Sequence, residues 1–237
     1  MRYSANLNVI IKAIEKATAH MPRDFIELEN LQSNPVSANK FATACYNRVK
    51  QILTDDLSKF RPDYNLIFSD GQKIIRDKNA EYSYIIFPID GFENLTRSNP
   101  DFSVAVALQH LGEDGQREGI SVAVSKIFGG ETYYCEKGYG AYLNNRRIRI
   151  SKRISGETQV VATEDQEVMA TKMGDKKFHT RSYGCRTLEV AYFAAARLES
   201  ALFVKKNYEL LKPFLLLARE AGGKIIEEDK NVLLTSN

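Results

Sequence analysis

The sequence predicts a layered α/β or α+β sandwich, and three observations lead there. Apolar residues recur at helical spacing near the N-terminus. The middle of the chain alternates in strand fashion around Gly129-Gly130, from residue 119 to residue 135, which is a hairpin pattern. After residue 160, short apolar runs alternate with helical segments. Such alternation, with antiparallel hairpins in the middle, indicates sheets covered by helices.

The N-terminal part predicts two helices and a strand. The first helix is capped by Ser4 or Asn6 and ends at Met21-Pro22, and its apolar positions are Leu7, Ile10, Ile11, Ile14 and Ala17. The second spans residues 43–60. A short apolar strand follows at 65–68 and ends in Ser69-Asp70-Gly71.

The central stretch, residues 84–108, organises the rest of the predicted fold. An apolar strand enters the turn Pro88-Ile89-Asp90-Gly91, and a second β-rich run covers residues 102–108. A strand, an acidic glycine turn and a strand present one carboxylate and nearby backbone N–H groups at the end of a sheet. Such a carboxylate most often accepts a backbone N–H hydrogen bond.

The second half of the chain predicts shorter elements. We expect strands at 160–163, 201–204 and 224–226, and helices at 166–173, 188–197 and 212–221, the last ended by Gly222-Gly223. Residues 151–159 are the best boundary. We therefore expect an N-terminal α+β half, 1–150, and a C-terminal α/β half, 151–237, packed as one compact unit.

Composition excludes several classes of protein. Of 237 residues, 43% are hydrophobic and 27% charged, which is ordinary for a globular protein. The net charge of +3 is too small to indicate direct nucleic-acid binding. The cysteines, Cys45, Cys135 and Cys185, are odd in number and widely spaced, so we expect reduced thiols, a cytoplasmic protein and no zinc site. The polar N-terminus predicts neither a signal peptide nor a membrane span.

Several ordered passages resemble the inositol monophosphatase family, including its bacterial extragenic-suppressor (SuhB) branch. They are Phe87-Pro88-Ile89-Asp90-Gly91-Phe92-Glu93-Asn94-Leu95, the strand 100–108, the elements 138–144 and 149–151, and the elements 196–199 and 220–223. The resemblance implies a layered α-β-α-β-α sandwich of the inositol monophosphatase / sugar phosphatase type. It also implies a homodimer and Mg²⁺-dependent hydrolysis of phosphomonoesters.

Most of the family's metal and catalytic positions are replaced in this chain. The replaced positions implied by the resemblance are Cys45, Val49, Ser69, Phe87, Phe92, Phe203 and Leu210. What remains is Asp70 and Asp90 with Gly91, so residual metal ligands would be Asp70, Asp90 and the backbone carbonyl of Ile89. Magnesium needs several oxygen ligands in near-octahedral geometry. Bulky apolar residues indicate an overwritten site, and we expect no cofactor, or Mg²⁺ if the chain is an enzyme.

Three functions stay open. The first is a catalytically inactive or very weak family member that acts as a scaffold or regulatory partner-binding protein, with the transcription machinery as a partner by analogy alone. The second is a Mg²⁺-dependent phosphomonoesterase of the inositol-1-phosphate type, with a rearranged site of Asp70, Asp90 and Glu209 or Glu93. The third is a small-molecule binder that uses an apolar cavity.

A basic group is the remaining feature of note. It comprises Arg146, Arg147, Arg149, Lys152 and Arg153. These residues could face phosphate or nucleic acid. Because the net charge is small, a solvated strand is the favoured interpretation.

Overall fold

Two β-sheets and the helices between and around them make up the computed structural model, which describes residues 4–153, 158–175 and 177–236. The first sheet has the strand order β2-β1-β3-β4-β5-β6-β7-β8, and the second has the order β10-β9-β11-β13-β12. The first-sheet strands are β1 (Asn65–Phe68), β2 (Lys73–Ile74), β3 (Tyr82–Asp90), β4 (Ser103–Leu111), β5 (Arg117–Lys126), β6 (Glu131–Glu136), β7 (Gly140–Leu143) and β8 (Arg146–Ile148). The second-sheet strands are β9 (Gln159–Thr163), β10 (Phe178–Arg181), β11 (Ser200–Val204), β12 (Lys224–Glu227) and β13 (Asn231–Thr235).

The helices pack on both faces of these sheets. They are α1 (Ala5–Thr18), α2 (Met21–Asn30), α3 (Pro35–Phe60), α4 (Phe92–Thr96), α5 (Gln166–Met173), α6 (Arg186–Ala194), α7 (Tyr208–Leu211) and α8 (Leu216–Glu220), with a 3₁₀ turn at Lys212–Leu215. Helices α1 and α3 contact the first sheet on one side, while α6 and α8 contact it on the other.

The alternation of side chains along β4 shows how the layers share the first sheet. Val104 and Val106 belong to the core beneath α1–α3. Ala105 and Ala107 belong to the core that contains α6 and α8. On β11, Phe203 faces that same middle core, whereas Leu202 packs with Met169 of α5. The layers therefore run α-β-α-β-α, and the predicted sandwich is confirmed.

The first helix is capped by Ser4, one of the two predicted candidates, because Leu7 N donates to Ser4 Oγ at 3.1 Å. Helix α1 ends at Thr18, before the predicted bound Met21-Pro22, and a helix that the sequence did not predict, α2, begins at Met21 with the proline in its first turn. Proline is tolerated there because the first N–H groups of a helix have no intrahelical acceptor.

The third helix begins at Pro35 rather than at residue 43. Asn34 Oδ1 accepts a hydrogen bond from Ser37 N at 3.1 Å and caps it. In the second half, the predicted helix 212–221 is a 3₁₀ turn followed by α8, and the predicted helix 188–197 is α6, which starts at Arg186 and ends at Ala194. Strands β2, β10 and β13 were not predicted, since each is short and partly polar.

Each sheet comes from one side of residue 150. The first sheet uses residues 65–148 and the second uses residues 159–235, although residues 154–157 of the predicted boundary lie outside the described part. The middle core nevertheless joins both sides, with Phe87, Phe203 and Phe214 in one cluster. The division into the halves 1–150 and 151–237, packed as one compact unit, stays a prediction.

The three cysteines are free and buried. Among the described residues, no helix combines the length and the apolar character that crossing a bilayer requires.

A strained residue ends α6 and supplies the first prediction. Ala196 has a φ of +60°, in the left-handed region that costs a residue with a Cβ roughly 1–2 kcal/mol. We expect Ala196→Gly to raise the free energy of unfolding by about 1 kcal/mol, measured by urea denaturation. The matched control is Ala195→Gly at φ −95°, which should lower stability. Equal effects at the two positions would contradict the assignment of strain to Ala196.

Candidate functional site

Asp90 closes β3, and Gly91 turns the chain into α4. Gly91 has a φ of +81°. A Cβ at this position would lie 3.1 Å from the carbonyl oxygen of Asp101 and 3.2 Å from Cβ of Cys185. Both the dihedral angle and the close packing therefore require glycine here.

The Asp90 carboxylate binds the N-terminus of α6. Its Oδ2 accepts hydrogen bonds from Thr187 N and Thr187 Oγ1, each at 2.7 Å, and Cys185 Sγ lies at 3.4 Å. Thr187 is in the first turn of α6, where N–H groups lack intrahelical acceptors and the helix dipole favours negative charge. Burial raises the pKa of Asp90 from its ordinary value, and the hydrogen bonds from Thr187 oppose that rise. The predicted backbone-capping role of this carboxylate matches the geometry.

A residue of β4 joins the hydrogen-bonded group at the N-terminus of α6. Ser103 Oγ lies 2.7 Å from Thr187 Oγ1 and 3.4 Å from Cys185 Sγ. Burial, followed by the negative charge of Asp90, raises the pKa of the Cys185 thiol well above its ordinary value. Cys185 is thus a packed thiol with little thiolate character.

Asp70, the other surviving carboxylate, is engaged by donors from α3. Oδ2 forms an ion pair with Lys50 Nζ and accepts a hydrogen bond from Tyr46 Oη at 3.0 Å. Oδ1 accepts from Gln72 N at 3.0 Å. Burial alone would raise the pKa of Asp70, but the hydrogen bonds, led by that of Lys50, lower it overall. The Lys50 ammonium also lies 4.6 Å from the ring centroid of Phe68, a cation–π distance.

Three of the positions predicted to be replaced lie around one cavity. This cavity, of about 290 Å³, is lined by Ser69, Phe87, Leu210, Arg186, Lys206, Asn207 and Leu211. The Phe87 ring packs edge-on against Phe214 at 5.3 Å between centroids. Among the described residues, the lining of this cavity is apolar, neutral polar or basic and includes no carboxylate.

Arg186 fixes one wall of the cavity. Its Nε and Nη2 each lie 2.6 Å from the carboxylate oxygens of Glu164, and Nη2 also donates to the carbonyl oxygen of Val204 at 3.0 Å. This fork-to-fork pair holds the guanidinium in one orientation. The pair is close to neutral in charge.

The other positions predicted to be replaced lie in or against hydrophobic cores. Phe203 is fully buried in the middle core together with Phe87. Cys45 and Val49 are fully buried beneath the first sheet, in the core against which Phe92 packs. Burial, followed by the charge of Asp24, raises the pKa of Cys45 to about 11.

The alternative metal site would add one of two further carboxylates. Glu209 is exposed and lines a second cavity of about 490 Å³, while Glu93 is exposed and pairs with Arg97 at 3.7 Å. Ile89 is a buried residue of β3. Within residues 4–153, 158–175 and 177–236, no group of three or more His, Cys, Asp or Glu side chains is arranged to hold a metal ion. The residues present do not fit a multi-carboxylate magnesium site.

Sequence reasoning missed the residues that engage the two carboxylates. Lys50 and Tyr46 lie on α3 beside the replaced positions Val49 and Cys45, and Thr187 lies 97 residues from Asp90. The only local signal was the position of Lys50 and Tyr46, each next to a residue of the motif. No pattern within the chain pointed to Thr187.

Glu189 of α6 is a buried carboxyl group with a hydrogen-bond partner at only one of its two oxygens among the described residues. It is 2% exposed, Oε1 accepts from Tyr183 N at 3.0 Å, and Oε2 has no partner among the described residues. Burial, followed by the charges of Glu164 and Asp90, raises the pKa of Glu189 to about 7, against the hydrogen bond from Tyr183.

The fold and the β3–α4 turn define a protein of the layered phosphatase architecture. A family model described as "Inositol monophosphatase family" matches residues 2–236. The chain belongs to the inositol monophosphatase family, which confirms the resemblance found in its motifs.

Relatives and solved structures agree with this assignment. An inositol-1-monophosphatase from Rhizobium meliloti is 30% identical over 94% of this chain and 85% of its own length. A Nus factor SuhB from Vibrio cholerae is 28% identical over 93% of this chain and 84% of its own length. The structure of the extragenic suppressor protein suhB from Bartonella henselae superposes with a TM-score of 0.82, at 24% identity, over 100% of this chain and 95% of that one.

Glu189 supplies the second prediction. Its folded-state pKa of about 7 lies above the ordinary value of 4.5, so the folded state binds the proton more tightly. The contribution of this group to the free energy of unfolding is therefore fully present below pH 4.5. It falls by roughly 2–3 kcal/mol as the pH rises toward 7. Glu189→Gln should remove that loss. The free energy of unfolding of the variant, measured by urea denaturation at each pH, should therefore increase relative to that of the parent protein across this range.

The matched control is Glu113→Gln, at an exposed carboxylate. Asp90, whose pKa is also raised, keeps part of the pH dependence in both variants. If the stability of Glu189→Gln changed with pH as steeply as that of the parent protein, the assignment of Glu189 as a buried carboxyl group that favours its neutral form would be contradicted.

Proposed function

We infer that this chain is an inositol monophosphatase family member without Mg²⁺-dependent hydrolysis, which acts as a cytoplasmic, homodimeric scaffold or regulatory partner-binding protein. One observation carries the proposal: both surviving carboxylates are engaged by protein donors. Asp70 is bound by Lys50, Tyr46 and Gln72 N, and Asp90 is bound by Thr187.

The chemistry of magnesium supports this proposal. Paired ions stabilise the entering and leaving oxygens of a phosphoryl group only when several hard oxygen ligands hold them. At Asp70 an ammonium already balances the negative charge. The apolar side chains of Phe87 and Leu210 line the cavity, and such side chains neither bind Mg²⁺ nor contribute negative electrostatic potential.

The partner-binding part rests on analogy. The Vibrio cholerae relative is called a Nus factor, and a related role with the transcription machinery is proposed here on that basis. Large apolar side chains are exposed on α2 and at the start of α3, with Ile26 58% and Val36 80% exposed. Such residues are candidates for a homodimer or partner contact.

A second function is favoured by the names of other relatives. The Rhizobium meliloti protein is called an inositol-1-monophosphatase, which supports a Mg²⁺-dependent phosphomonoesterase with a rearranged site. Its ligands would be Asp70, Asp90, the carbonyl of Ile89 and Glu209 or Glu93. This reading requires Lys50 to move away from Asp70 when the ion binds.

The third prediction separates the two functions by turnover. With millimolar Mg²⁺, the purified protein should release no phosphate from inositol-1-phosphate or p-nitrophenyl phosphate, since no described carboxylate cluster can hold the ions. Asp90→Asn keeps an oxygen that accepts from Thr187 and loses the charge, whereas Asp90→Ala loses the acceptor and should lower the free energy of unfolding by about 1–2 kcal/mol through the lost cap of α6. Turnover in the parent that disappears in Asp90→Asn would overturn the non-catalytic proposal.

The fourth prediction concerns the metal itself. Calorimetric titration with Mg²⁺ or Mn²⁺ should give no heat of binding at concentrations up to the millimolar range, because Lys50 competes for Asp70. Lys50→Met removes this ammonium and should allow weak Mn²⁺ binding, which Lys50→Met combined with Asp70→Asn should abolish. Tight binding by the parent protein would favour the enzyme.

A further inference from the structure

The edge strand β8 and the residues after it carry an unusual concentration of positive charge. Between Glu136 and Glu157 the chain has no acidic residue and six basic ones: Lys137, Arg146, Arg147, Arg149, Lys152 and Arg153. The whole chain has a net charge of +3, so the rest of it is net negative. The small net charge thus conceals a strongly basic segment.

Ion pairing divides these six residues into two groups. Lys137 pairs with Glu118, and Arg153 pairs with Glu199 at 2.5 Å. The other four form no ion pair with any described carboxylate, and Arg146, Arg147, Arg149 and Lys152 are all exposed. We call these four residues the basic edge.

The backbone of an exposed tyrosine lies close to the basic edge. Arg147 of β8 is opposite Tyr142 of β7, and the Tyr142 hydroxyl donates to the carbonyl oxygen of Tyr139 at 3.2 Å. The Arg147 guanidinium packs at Gly140, where a Cβ would lie 3.0 Å from Nη2. Tyr139 itself is 74% exposed.

The turn that carries Tyr139 is held in place. Gly138 N and Gly140 N each donate to the Glu220 carboxylate at 2.7 Å. Glu220 therefore supports the turn on both sides of Tyr139, and the ring is presented from an ordered backbone.

We propose that the basic edge, together with Tyr139, binds a single-stranded nucleic acid. Three of its four cations are arginines, whose planar guanidinium groups match phosphate oxygens in a bidentate manner. An exposed tyrosine beside a cationic track offers a surface on which an unpaired base stacks. From Arg146 to Lys152 the chain extends at most about 20 Å, enough for a short run of nucleotides.

Two other occupants fit less well. A second copy of this chain would place the same four cations against each other, and that repulsion opposes a symmetric contact across β8. Charged residues on an edge strand also hinder unwanted strand pairing. That role explains charge on β8, but it explains neither the exposed Tyr139 nor the acid-free stretch of 20 residues.

The test measures fluorescence anisotropy of a labelled 12-nucleotide mixed-sequence RNA, and of the DNA of the same sequence, from 50 to 200 mM KCl without Mg²⁺. Four phosphate contacts predict a slope of log K against log salt of about −3, or roughly 50-fold weaker binding over this range. Combining Arg146→Gln, Arg147→Gln, Arg149→Gln and Lys152→Gln should weaken binding at 50 mM at least tenfold and flatten the slope.

The matched control removes the same charge elsewhere. It combines Arg23→Gln, Lys40→Gln, Lys59→Gln and Lys78→Gln, at exposed residues, and should change binding less than twofold. Tyr139→Ala should weaken binding about tenfold at every salt concentration with an unchanged slope, because stacking releases no counterions. Tyr139→Phe should keep the parent affinity.

Several results would overturn the proposal. They are equal losses in the two fourfold variants, no RNA or DNA binding at 50 mM KCl, and tighter binding of a 20-residue polyglutamate, which would identify an acidic protein partner instead. The experiment is independent of catalysis: phosphate release, assayed separately, overturns the proposed function and leaves the nucleic-acid site standing.

Discussion

The hydrogen bonds between Asp90 and Thr187 are the constraint on which the centre of this fold depends. A carboxylate at the end of β3 accepts the N–H and the hydroxyl of one residue in the first turn of α6, and Ser103 of β4 joins the same group. Helix α6 belongs to the layer between the two sheets. The bond therefore fixes the position of that layer against the first sheet, and it gives Asp90 a structural reason to be present.

Internal cations occupy the other polar positions of the site. Lys50 balances Asp70, and Arg186 and Glu164 balance each other at the cavity wall. The Asp70 side chain is 38% exposed, so its ion pair contributes modestly to stability because water screens it. Its larger consequence is electrostatic: a region that would attract a divalent cation through unpaired carboxylates is instead close to neutral.

Sequence patterns predicted the elements whose periodicity is long and apolar, such as α1, β3 and β4, and they placed Asp90 at a strand-ending turn. They missed α2, whose buried residues Met21, Phe25 and Leu28 lie around Pro22, a residue type that more often ends a helix than continues one. Contacts between helices and strands were harder to predict than the helices and strands themselves. The approach of Lys50 to Asp70 depends on how α3 packs beside β1, and that of Thr187 to Asp90 depends on the stacking of layers, neither of which a local pattern encodes.

The positions predicted to be replaced also differ in how readily each would accept a polar or charged side chain. Ser69, Phe87 and Leu210 border a cavity, where a polar group would find water. Cys45 and Val49 are instead fully buried in a close-packed core, against which Phe92 lies. A carboxylate introduced at Val49 would lose its hydration, at a cost of several kcal/mol, while one at Cys45 would lie near Arg48, which already pairs with Asp24. Because the core on that side of the sheet is close-packed, the apolar replacements there depend on one another. Reversing any single one would lower the stability of the fold.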